Sequence, residues 1–154
     1  MYQLEVKRWL VYHRFSPQQG WRVYVDVDPM ERGASGHAAD KVARAREAET
    51  ALVTMGAQIR AHKDFGRVDL VAEHDVHGRV FVEVEGSSGK QREQALYSAL
   101  GQILLSMSAS EGRYVLAVPD DARWERQLAK IPSRVRELLK LECVLVSDVA
   151  VRDV

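Results

Sequence analysis

The chain has 154 residues, of which 46% are hydrophobic and 29% charged, the size and make-up of one globular domain. Lysine plus arginine and aspartate plus glutamate both number 22, so the formal charge is zero and the basic excess common in nucleic-acid binders is missing. The single cysteine, Cys143, excludes an intramolecular disulfide, and no apolar run approaches the ~18 residues of a membrane-spanning helix. Residues 1 to 7 lack the apolar centre of a signal peptide. The expectation is a cytoplasmic protein with no membrane partner.

Residues 1 to 28 read as a two-stranded N-terminal extension. Trp21, Val23, Val25 and Val27 alternate with Arg22, Tyr24, Asp26 and Asp28, the period of a half-buried strand. A less regular first strand covers about 4 to 15, with a turn over 16 to 20. The pair mixes basic and aromatic residues, among them Lys7, Arg8, Trp9, Tyr12 and Trp21. Such a mixture serves phosphate and base contacts, or more commonly a core or subunit interface.

Residues 29 to 39, with one proline and two glycines, read as a loop or hinge before a domain spanning 40 to 154. Asp40 is placed to cap a helix that Gly56 ends. On that helix Val42, Ala45, Ala48, Leu52 and Met55 share a side. Glu49 lies at the edge of the stripe, and Glu47 points away from it. Three strands follow at about 57–62, 67–73 and 79–85. A helix over about 90–108 leads to a buried strand, 114–118, stopped by Pro119. Helices over 124–130 and 133–141 precede a last strand, 142–149, in which Cys143 reads as a buried, inert thiol. From residue 40 the order α-β-β-β-α-β-α-β predicts helices on a mixed sheet.

The 67–73 and 79–85 strands flank a short turn centred on Val76. In that hairpin Glu73 faces Arg79, Val71 faces Phe81 and Asp69 faces Glu83. Alternation puts Asp69, Glu83 and Glu85 on one face and Val80, Val82 and Val84 on the other. Close carboxylates repel, so a cation is the natural neutraliser, and Mg²⁺ takes hard oxygen ligands of this type. The bland alternative is a solvated sheet end where the acids fan out.

The run Gly66-Arg67-Val68-Asp69-Leu70-Val71-Ala72, the hairpin, and then Val80-Phe81-Val82-Glu83-Val84-Glu85-Gly86 resembles the PD-(D/E)xK, or restriction endonuclease-like, nuclease superfamily. The helix before and the Gln91-to-Gln102 helix after match its αβββαβ core over about 40–120. The resemblance implies a nuclease that hydrolyses phosphodiester bonds with Mg²⁺ or Mn²⁺. It makes Asp69 and Glu83 metal ligands and Glu49 the acid contributed by the first helix. Its partner would be nucleic acid, DNA foremost, and a homodimer would suit two-site cutting. Glu85 departs from the pattern, standing where the motif lysine belongs. Some members carry Glu there, others move the lysine, and Lys90 or Lys63 could take its role. A catalytically inactive nuclease-like domain used for binding is the alternative.

Ser88 and Gln91 fit a helix capping box, which competes with a supporting role for Gln91 at the site. His74 and His77 read as solvated turn residues rather than zinc ligands. No phosphate-binding glycine loop or serine-nucleophile motif occurs.

Overall fold

The computed structural model describes residues 1–33, 39–87, 92–107 and 111–154. Its strands are β1 (Arg22–Val25), β2 (Leu70–His74), β3 (Gly78–Val84), β4 (Arg113–Pro119), β5 (Leu141–Val146) and β6 (Val151–Asp153). Its helices are α1 (Gln3–Arg14), α2 (Ala39–Met55), α3 (Arg92–Ser106), α4 (Ala122–Leu128) and α5 (Ser133–Leu139).

The six strands form one open mixed sheet in chain order, β1-β2-β3-β4-β5-β6. The neighbours β1–β2, β2–β3 and β5–β6 are antiparallel, whereas β3–β4 and β4–β5 are parallel. Parallel neighbours need a crossover, and the helices supply it: α3 between β3 and β4, then α4 and α5 between β4 and β5. The crossovers cover one face of the sheet, where Leu96, Ile103, Trp124 and Leu128 pack on Phe81, Leu116, Val118 and Leu145. On the other face α1 and α2 bring Leu4, Leu10, Val11, Ala48 and Leu52 onto Val80, Val82, Val84, Val115 and Val144. Inner strands covered on both faces read as apolar runs, as Tyr114-Val115-Leu116-Ala117-Val118 does.

The N-terminal segment differs from its expected form. Residues 3 to 14 are a helix, not a strand, and their buried residues Leu4, Val6, Lys7, Leu10 and Val11 follow helical spacing. The Glu5 carboxylate accepts from the Tyr2 backbone N–H at 2.7 Å and secures the start of the helix. The expected strand at 57–62 shrinks to a bridge, Gln58 on Tyr24, with Val25 N–H donating to the Gln58 carbonyl. Its place in the sheet is taken by β1, from the expected N-terminal extension. That extension is therefore no separate unit: β1 pairs with β2, and α1 covers the sheet.

The α2 helix ends at Gly56 as expected. Gly56 has φ 98°, a left-handed conformation, and the Ala57 N–H returns to the Leu52 carbonyl. The final strand divides in two, because Ser147 and Ala150 bond each other across a turn that folds β6 back onto β5. Cys143 is buried, as expected. Among the described residues no helix is long and apolar enough to cross a membrane.

Candidate functional site

The β2–β3 hairpin has the predicted register, with Glu73 opposite Arg79 and Val71 opposite Phe81. The Arg79 guanidinium donates to Glu73 at 2.8 Å. Leu70 pairs with Val82, so Asp69, one residue earlier, comes level with Glu83 at the end of the ladder. Val80, Val82 and Val84 lie in the α1–α2 layer, whereas Val71 and Phe81 lie in the opposite one.

Asp69 and Glu83 meet. Their side chains hydrogen-bond each other, and the Val84 backbone N–H donates to Asp69 Oδ2 at 2.9 Å. The Gln3 amide of α1 donates to both Asp69 oxygens at 3.3 Å. Glu83 is only 5% exposed. Burial pushes its pKa up to about 9, and the charge and hydrogen bond of Asp69 and the charge of Glu85 add to the rise. Glu83 is therefore protonated at neutral pH, with its proton available to the Asp69 carboxylate.

The basic partner is Lys7, on the inward face of α1. Its side chain is fully buried, and its ammonium lies 2.9 Å from Asp69 Oδ1, 2.8 Å from Glu31 Oε1 and 2.6 Å from the Asp26 carbonyl oxygen. Three donors thus find three acceptors. Burial works against the charge on Lys7, but Asp69 and Glu31 outweigh it and hold its pKa above the usual lysine value.

Glu31 follows β1 in a turn where Asp28 Oδ1 accepts from the Glu31 N–H at 2.8 Å. Burial raises its pKa against the opposing pull of Lys7. Its second oxygen, Oε2, is buried and has no hydrogen-bond partner among the described residues. One ammonium thus faces two acidic side chains, Asp69 and Glu31. Lys7 places a side-chain cation where the close carboxylates called for one.

Two further expectations are corrected or left open. Glu49 does not point toward Asp69 and Glu83; its carboxylate is gripped by Arg32 at 2.8 and 2.9 Å, and that bond lowers its pKa. The cause is the turn at 28–33, which places Arg32 beside the edge of the α2 stripe. Glu47 is exposed and pairs with Arg8, in keeping with its outward position. Lys90 and Gln91, with Ser88, lie outside the described residues. Glu85 is half-buried beside Glu83, and its backbone N–H extends the ladder to the Ala117 carbonyl.

Sequence reasoning missed Lys7, Gln3 and Glu31. The signal for Lys7 was present: on a helix it shares the stripe of Leu4, Leu10 and Val11, where an unpaired lysine is costly. The strand assignment concealed that stripe.

No group of three or more His, Cys, Asp or Glu among the described residues is arranged to hold a metal ion. The two carboxylates that do meet suit a hard cation such as Mg²⁺ or Mn²⁺, which commonly takes one or two protein carboxylates and fills its remaining positions with water and phosphate. The proton between Asp69 and Glu83 is the charge such a cation would replace. The turn histidines are otherwise engaged. His74 Nδ1 accepts from the Val76 N–H, and both rings pack on Trp21. A cavity of about 540 Å³ lies toward the other end of the hairpin, but three of its cations, Arg22, Arg79 and Arg113, are held by Asp75, Glu73 and Glu142.

Comparison with known proteins gave no matching family model, curated protein or solved structure.

Proposed function

We propose that the chain is a divalent-cation-dependent nuclease whose site is built from Asp69, Glu83 and Lys7, on a restriction endonuclease-like core. The observation that carries this reading is the buried Lys7 ammonium 2.9 Å from Asp69, beside the Asp69–Glu83 pair. An acid from the start of one strand, an acid near the end of the next and a lysine are the three groups that the resemblance calls for. Here the lysine comes from α1 rather than from position 85.

The element order supports the same reading once α1 replaces α2 as the first helix. The series α1, β1, β2, β3, α3, β4 is αβββαβ, and α2 is an insertion between its first two strands.

Asp69 and Glu83 would hold the cation. Bound there, Mg²⁺ supplies water activation and neutralises charge on a phosphodiester. Asp69 is oriented for this by the Val84 N–H and the Gln3 amide. Lys7 keeps a positive charge at the pair, where it stabilises negative charge developing on the phosphate. Glu85 stays at the edge of the site and favours the protonated form of Glu83 until a cation arrives. The substrate in this reading is nucleic acid.

The alternative, an inactive nuclease-like domain serving in binding, is favoured by one feature: Lys7 already neutralises Asp69 without any metal. A plasmid-nicking assay separates the two. The nuclease reading expects cleavage that requires Mg²⁺ or Mn²⁺ and is lost in Asp69→Ala and Glu83→Ala. Folded wild-type protein with no cleavage of DNA or RNA in either cation favours the binding domain.

A further inference from the structure

We propose that Glu31 is the positioning residue of Lys7, keeping the ammonium at the acidic pair when Asp69 is engaged by a cation. The inference rests on reading Asp69 as a cation ligand. It concerns how a lysine survives in a site whose nearest carboxylate has a second task.

Lys7 has two acidic partners, and they differ in kind. Asp69 lies in the acidic pair and receives four further contacts: from Glu83, the Val84 N–H, and the Gln3 amide at both oxygens. Glu31 receives Lys7 at 2.8 Å and the Asp28 N–H at 3.3 Å on the same oxygen, Oε1. Its position is fixed by backbone, since Asp28 Oδ1 accepts from the Glu31 N–H at 2.8 Å. A cation at Asp69 and Glu83 would repel the ammonium and draw Asp69 away from it. Glu31 and the Asp26 carbonyl, at 2.6 Å, would then be the remaining holds on Lys7.

The unpartnered oxygen argues for the same division of labour. A buried carboxylate oxygen without a donor is costly, and a carboxamide would keep an Oε1-type acceptor without that charge. A carboxylate in this place is explained by the charge it sets against Lys7. Glu31 is only 6% exposed, so solvent does little to screen that attraction.

The test reads Lys7 itself. In full-length protein labelled with ¹⁵N-lysine, a buried, bonded ammonium gives a slowly exchanging N–H signal, assigned by its loss in Lys7→Arg. The signal is expected in wild type and to persist both in Asp69→Asn and in wild type with saturating Mg²⁺. In Glu31→Gln it is expected to vanish or to exchange at least tenfold faster. Should Glu31→Gln fail to fold, the Asp69→Asn and Mg²⁺ arms still decide. Loss of the signal in Asp69→Asn, or its persistence unchanged in Glu31→Gln, overturns the proposal. None of the apo arms depends on cleavage, so an inactive wild type defeats the nuclease reading without deciding this one. With an active enzyme, Glu31→Gln should lower kcat about tenfold at unchanged KM, the pattern of a misplaced group rather than lost binding. An unchanged kcat also overturns it.

Discussion

Lys7 of α1 and Asp69 at the mouth of β2 are 62 positions apart in the chain, yet the ammonium lies 2.9 Å from the carboxylate. The contact fastens the first helix to the acidic end of the sheet. It also puts a cation beside a carboxylate that was expected to face only other acids.

Asp69→Asn should therefore destabilise the protein. Removing the charge leaves Lys7 buried with Glu31 as its remaining acid. A loss of about 1–3 kcal/mol is expected, less than the full cost of orphaning a buried charge because Glu31 stays. Urea unfolding of both proteins at the same pH measures it, and a stabilised Asp69→Asn would show that repulsion dominates.

Glu83 gives a signed dependence on pH. Its pKa rises from 4.5 to about 9 on folding, so the folded state holds a proton that the unfolded chain releases. The stability it contributes is fully present below about 4.5 and is lost as pH rises toward 9. Glu83→Gln mimics the protonated acid and should flatten this slope. At pH 8 it should be more stable than wild type by up to about 5 kcal/mol, with little difference at pH 4. Thermal unfolding across that range checks both the sign and the window.

Gly86 is where the loop after β3 crosses the start of α1. A Cβ there would sit 2.5 Å from the Gln3 backbone nitrogen, a clash that only movement of the backbone relieves. Gly86→Ala should cost about 1–3 kcal/mol and push α1 outward, carrying Gln3 and Lys7 away from Asp69. A faster-exchanging Lys7 ammonium in this variant is the expected sign.

Glu49→Gln provides the contrast. Its Arg32 partner is half-exposed, so stability should change by less than about 1 kcal/mol and cleavage should not change. A large loss of activity would return Glu49 to the site.

The hairpin was legible because it is local. Alternation from Val82 to Glu85 and the opposed Glu73 and Arg79 determine the register without reference to the rest of the chain. The first helix was not legible. Valines, tryptophan and tyrosine between 6 and 12 favour a strand by composition, and only the buried stripe of Leu4, Lys7, Leu10 and Val11 reveals the helix. Docking on the sheet overrides local preference there. Lys7 was hidden for the same reason, since its partners are the residue after β1, a residue of the following turn and the residue before β2. Position 49 failed differently: its place on the stripe was correct, but Arg32 reaches it from a turn whose course no periodicity predicts.

In the proposed site, Asp69 and Glu83 would exchange a proton for a divalent cation. Calorimetric titration with Mn²⁺ at pH 7, repeated in buffers of different ionisation enthalpy, tests it most directly. Glu83 is protonated at that pH with a pKa of about 9, so binding should release about one proton per cation. Asp69→Asn and Glu83→Gln should abolish the heat. Binding with no proton release would contradict the account, and so would the absence of any heat at millimolar Mn²⁺.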